Sequence, residues 1–244
     1  MLRSRREREE ARERQRVFDA AVESIRTAGV WFVDIPRTSS TSLKYELARQ
    51  FGAAFGKMNV NEPDFATKQQ FPDHMRATEV RAMIGADIWN DLFTFTIVRN
   101  PWDRMHSLYF YRKKVEEIPA DWTFREYVLR FAAANEFTPY FRYPPLRIAA
   151  ADFIFDETGE AIVSTIIPFE DRHARIADIA QKIGIADLGT THIQAATPDA
   201  ASYLEAYDDE TRQAVSLVWQ RDITLFGYEF EKPGHWHFKE SVNL

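Results

Sequence analysis

Two short apolar runs, VWFVDI at 30–35 and FTFTIV at 93–98, each give way at once to a turn carrying Pro and Arg, and then to an amphipathic helical pattern. β-Branched and aromatic residues in an unbroken run suit strands buried on both faces. Strand–loop–helix units in series close into βαβ crossovers and a parallel sheet. The pattern therefore narrows the fold to α/β, a single domain with a central parallel sheet flanked by helices. Leu43, Leu47 and Phe51 mark one side of the first helix, which ends near Gly52. The second runs through Leu108 and Tyr109 toward Val115.

The remaining segments hang on this frame. Residues 1–29 are dense in Arg and Glu, with Val17, Phe18, Ala21, Val22 and Ile25 at helical spacing, so they read as a charged helix that docks one face on the rest, 30–244. Interleaved Glu makes a solvated helix face the better account than a basic nucleic-acid arm. Residues 57–73 read as irregular, and 77–83, 123–134, 171–183 and 208–220 as helical. ADFIFDETGEAIVSTII places a Thr-Gly turn between two strand-like runs and predicts a hairpin.

The two loops carry the chemistry. IPRTSSTS (35–42) offers hydroxyls, backbone N–H groups and the cation of Arg37 at the start of a helix, where the dipole favours an anion. Helix capping is the competing account. The loop is no Walker A motif, since GxxxxGK[ST] lacks both its glycines and its Lys here. The second loop, RNPWDRMHS, puts Arg99 at a strand's carboxyl end and Ser107 two helical turns along, with Asp103 and Arg104 available to brace it. A guanidinium and a hydroxyl together suit a phosphate. The chain's net charge of −6 means that any such anion must meet a local cluster of cations, and argues against a nucleic-acid coat.

At these residues the chain resembles the sulfotransferases that use 3′-phosphoadenosine 5′-phosphosulfate (PAPS), most of all the carbohydrate-type heparan and chondroitin enzymes. IPRTSSTSL is similar to their IPKTGGTSL loop, and VRNPWDRMHSLYFY to their VRNPxxRxxSxYxY signature. Weaker similarities extend the resemblance over most of 30–230. It implies a P-loop-like nucleotide-binding architecture over 30–244, with Arg37, Thr38, Ser39, Ser40, Thr41 and Ser42 around the 5′ phosphosulfate, and Arg99 and Ser107 on the 3′-phosphate. It also implies in-line transfer of a sulfuryl group to a hydroxyl of a carbohydrate or small molecule, PAP (3′,5′-adenosine bisphosphate) as product, and no metal. Two departures stand out: Arg37 replaces the Lys that in the family neutralises the oxygen bridging sulfate and phosphate, so the resemblance implies a catalytic role for Arg37, and Ser39 and Ser40 replace paired glycines. A small-molecule kinase and a catalytically silent nucleotide-binding protein are the alternatives.

The acceptor hydroxyl needs a base, and His suits neutral pH. His74 in FPDHMRATEV is the candidate by resemblance, with helix capping as its competing account. Glu62, Asp64 and Asp73 are reserve bases; His106 is expected to face elsewhere, and His173 and His192 lack context. His235 and His237 supply two potential metal ligands, which is a weak signal. Arg76, Arg112, Lys113 and Lys114 are the cations available to an acidic acceptor, with surface solubility as the rival explanation. Trp89, Trp102 and Trp122 read as core. No Cys is present, so disulfides and thiolate metal sites are excluded. The sequence shows neither a secretion signal nor a spanning segment of about 18 apolar residues, which leads to the expectation of a cytoplasmic protein without a membrane or nucleic-acid partner. It does not spell out the oligomeric state.

Overall fold

The computed structural model of the chain describes residues 5–55, 70–134, 140–141, 143–186, 188, 200–232 and 234–238. Its centre is an open sheet of three parallel strands in the order β1 (Val30–Val33), β2 (Phe93–Val98), β3 (Thr165–Pro168). Val30 pairs with Phe93 and Val33 with Thr96; Phe95 pairs with Thr165 and Val98 with Pro168. β2 is the middle strand and is buried from Thr94 to Val98, which explains its lack of polar alternation. Its two threonines satisfy themselves locally: Thr96 Oγ1 donates to the Val33 carbonyl at 2.7 Å, and Thr94 meets Ser164 hydroxyl to hydroxyl at 3.0 Å.

Helices surround the sheet. In chain order they are α1 (Arg5–Ala28), α2 (Ser40–Phe51), α3 (Ala77–Ile84), α4 (Ala86–Asp91), α5 (Pro101–Lys114), α6 (Phe124–Ala133), α7 (Ala151–Ile154), α8 (Arg172–Lys182), α9 (Asp209–Val218) and α10 (Gln220–Phe226). α1 buries Ala21 and Ile25 completely, while its Arg and Glu residues from Arg6 to Arg16 lie on exposed faces. α6 opens on a capping box in which the Thr123 hydroxyl accepts from the Glu126 N–H at 3.2 Å. α9 opens on another, with Asp208 accepting from the Thr211 N–H at 2.8 Å.

Several boundaries differ from the sequence expectation. ADFI is the helix α7 rather than a strand; Asp222 accepts the N–H groups of Ala150 and Ala151 at 2.8 Å each and fixes that turn. The Thr-Gly turn is present, but only the bridge Phe155–Ala161 flanks it, and the second apolar run becomes the parallel strand β3. The expected helix over 208–220 is interrupted at Trp219, whose buried indole donates to the Arg147 carbonyl at 3.1 Å. Residues 57–69 of the expected irregular stretch, with Glu62 and Asp64, lie outside the described residues, as does His192. Among the described residues no helix is long and apolar enough to cross a membrane.

Candidate active site

The loops after β1 and β2 leave the same end of the sheet, where parallel α/β folds hold their ligands. Between them lies a cavity of about 560 Å³. The first loop contributes Asp34, Pro36, Arg37 and Ser39 to its lining, and α2 contributes Ser40, Thr41, Ser42, Lys44 and Tyr45. Arg99 and Ser107 come from the second loop and α5, and Asp73 and His74 precede α3.

The first loop is held in an unusual shape. Arg37 and Ser39 both have left-handed backbones, with φ of 68° and 67°. Ser39 is the N-cap of α2, yet its side chain makes no capping bond, so the first N–H groups of this helix receive no acceptor from it. Ser40 is already helical, so of the two serines that replace glycines only Ser39 bears backbone strain. Thr38 is fully buried; its hydroxyl turns back to the Ile35 carbonyl at 2.9 Å and serves the loop itself.

Arg37 reaches across to the second loop. Its Nη2 donates to Ser107 Oγ at 2.9 Å, its guanidinium lies 4.3 Å from the centre of the Tyr111 ring, and its buried Nε has no acceptor. Arg99 donates from Nη1 to the Arg37 carbonyl at 3.1 Å. Burial, followed by the like charge of Arg99, pulls the Arg37 guanidinium down to about 10, still charged at neutral pH. Two neighbouring guanidiniums, the Ser107 hydroxyl on Arg37 and an unmet Arg37 donor make an arrangement that an oxyanion would relieve. The Nε–Nη2 edge of Arg99, however, is already taken: it donates to both carboxylate oxygens of Asp103 at 2.7 and 2.9 Å, and the ring of Phe169 lies 3.9 Å below it. Arg99 therefore has single N–H bonds to offer a ligand, not the paired edge expected of it.

The second loop is braced from behind. Asn100 caps α5 by accepting from the Trp102 N–H at 3.0 Å, with Pro101 in the first turn. Arg104 is wholly buried and donates to the Pro36 carbonyl at 3.1 Å and the Ile148 carbonyl at 3.2 Å, so it ties the two loops together. Its counter-ion is Asp222 at 3.7 Å.

At the other side of the cavity four ionisable groups meet. Lys44 Nζ donates to Asp34 Oδ2 at 2.6 Å and also pairs with Asp73. Burial would raise the Asp34 carboxyl, but the hydrogen bond from His74 and the Lys44 ammonium outweigh it and hold the group well below the usual range. Burial likewise opposes the Lys44 charge, and the two carboxylates reverse it, raising Lys44. His74 Nδ1 sits 3.0 Å from Asp34 Oδ2 and 3.1 Å from the Asp34 carbonyl oxygen. Both neighbours are acceptors, so Nδ1 carries the proton and Nε2 of the neutral ring is left with a free lone pair. His74 is itself held at φ 62°. Three of the four non-glycine residues with positive φ among those described, Arg37, Ser39 and His74, thus line one cavity. Strain of this kind persists where surrounding contacts over-determine the backbone.

The remaining candidates fall elsewhere. His106 is buried edge-on against Phe110 and Phe124 at 4.7 and 5.6 Å. The rings of His235 and His237 meet edge to face with centroids 4.0 Å apart, and no group of three potential ligands is assembled among the described residues. Trp89 and Trp102 are core. Arg112 contradicts a surface reading, being only 7% exposed and part of the cavity lining. Asp34 and Lys44 are cavity-lining charges that the sequence reading did not single out; the one available signal was an Asp at the very end of a buried strand.

No family model, curated protein or solved structure matches this chain.

Proposed function

We propose that the chain is a PAPS-dependent sulfotransferase with a P-loop-like donor site, acting on a hydroxyl of a carbohydrate or small molecule. The carrying observation is that one cavity joins two anion-seeking surfaces to a base: the uncapped start of α2 with Ser39–Ser42, the Arg37–Arg99–Ser107 cluster, and His74. A donor with phosphate groups at two positions matches two such surfaces; a nucleoside triphosphate leaves the second without a phosphate.

In this reading the first turn of α2 and its hydroxyls hold the 5′ end through backbone N–H groups. Arg99 and Ser107 hold the 3′-phosphate; Arg37, expected at the 5′ phosphosulfate, instead reaches Ser107 and adds its charge on that side. PAPS supplies an activated sulfuryl group whose leaving group is a phosphate. His74 Nε2 takes the proton from the acceptor hydroxyl as the oxygen bonds to sulfur and the sulfur–oxygen bond to phosphate breaks. Asp34 steadies the imidazolium that forms, and Lys44 holds Asp34 in place.

Thermal unfolding with PAP or with ATP and magnesium tests the reading, since a ligand of the native state stabilises it by RT ln(1 + [L]/Kd). Stabilisation by PAP and little by ATP is expected, together with transfer of labelled sulfate from PAPS to a panel of alcohols and sugars. The reverse ranking would favour a kinase. Stabilisation by PAP with no transfer to any acceptor would favour a silent binding protein.

A further inference from the structure

The end of the third strand reaches the site from behind. β3 runs parallel to β2 with Pro168 beside Val98, so the residues that follow, Phe169 and Arg99, leave the sheet next to each other. The guanidinium carbon of Arg99 lies 3.9 Å from the centre of the Phe169 ring, and that of Arg172 lies 3.7 Å from it. Two planar cations so close to one ring centre would collide on a shared face, so the ring is held between them. Arg172 also donates from Nη1 to the Phe169 carbonyl at 2.6 Å, which fixes the backbone that carries the ring. The next residue, Glu170, accepts from the Asn100 N–H and joins this turn to the second loop. Glu170 and Asp103 offset the like charges of Arg172 and Arg99.

Ring and carboxylate together leave Arg99 one orientation. A guanidinium has five N–H donors. Asp103 takes two and the Arg37 carbonyl one, so two remain for a ligand. Asp103 grips an edge, which leaves the group free to hinge about the carboxylate; a ring stacked on the face stops that hinge. An arginine held in this way gives up little further freedom when it binds. Phe169 is itself buried and does not line the cavity, so it acts on a ligand only through Arg99.

We propose that Phe169, backed by Arg172, is a positioning residue that aims Arg99 at the 3′-phosphate, so that the end of β3 sets the preference for a 3′-phosphorylated nucleotide. This role rests on the sulfotransferase reading and on its placement of Arg99.

The test is the ratio of the affinities for PAP and for 5′-AMP, which lacks only the 3′-phosphate, measured by calorimetric titration. Phe169→Leu keeps the turn apolar but loses the flat face, and the ratio should fall about fivefold, as fits one long side chain that must be ordered anew on binding. The affinity for AMP should not change. Arg172→Gln, at a half-buried position, should lower the ratio about threefold by loosening the ring, and it keeps the test alive should Phe169→Leu fail to fold. In an Arg99→Gln background neither substitution should lower the ratio further, because the whole contribution passes through Arg99. A ratio that survives both single substitutions, affinities for PAP and AMP that fall together, or an equal fall in the Arg99→Gln background overturns the positioning role while the donor reading stands. Native protein that binds PAP no more tightly than AMP overturns the donor reading, and this role with it.

Discussion

Replacing Asp34 by Asn tests the charged network and the base together. The Asp34 side chain is 7% exposed and that of Lys44 11%, so their ion pair at 2.6 Å is little screened by solvent. Removing one partner of a buried pair costs about 3–5 kcal/mol, because the other charge stays buried. Asp73 still faces Lys44 and the Asn carbonyl still accepts one hydrogen bond, which places Asp34→Asn near the lower end, about 3 kcal/mol. For a chain of this size that is a fall in Tm of about 6–12 °C. Urea unfolding followed by tryptophan fluorescence measures it. The pH dependence has a fixed sign. The native Asp34 carboxyl is depressed, so its contribution is complete above the ordinary value of about 3.9 and is lost as pH falls toward the native value. Lys44 is raised, so its contribution holds below about 10.4 and is lost as pH rises through the native value. The gap between native and Asp34→Asn protein should be flat from about pH 8 to 10 and shrink below pH 4. A gap under about 0.5 kcal/mol at pH 7, within the usual range of a surface substitution, or one that widens below pH 4, would refute the network as drawn.

His74→Ala should lower kcat by about 10²-fold or more while leaving PAP affinity unchanged, as read by steady-state rates beside calorimetry. Arg37→Lys keeps the charge but loses the planar fork that meets Ser107, so PAP should bind about fivefold more weakly in the same titrations. Ser39→Gly removes a side chain from a left-handed cap that makes no capping bond; relief of about 1–2 kcal/mol, less the extra entropy of Gly, predicts a net gain of about 0.5–1 kcal/mol in urea unfolding.

The parts legible in sequence were those set by near neighbours. The strands at 30 and 93 follow from unbroken apolar runs, the start of α5 from an Asn-Pro pair, and the Arg99–Asp103 pair from helical spacing of four residues. That pair was anticipated as a brace, but not that it would occupy the Nε–Nη2 edge of Arg99. α7 was misread because ADFI is as apolar as a strand, and the buried carboxylate that makes it turn, Asp222, lies about seventy residues away.

Sequence alone determined the alternation of strand, hydroxyl-bearing loop and helix, since pattern, Pro and capping residues act within a few positions of themselves. Tertiary structure decided which charges meet. Asp34 joins Lys44, Asp73 and His74 only because the segment before α3 folds over the end of β1, and Arg112 is buried only because Tyr127, Phe141 and the returning Glu117 close around it. Burial and partnership of an ionisable group depend on segments remote in the chain, so no local pattern encodes them.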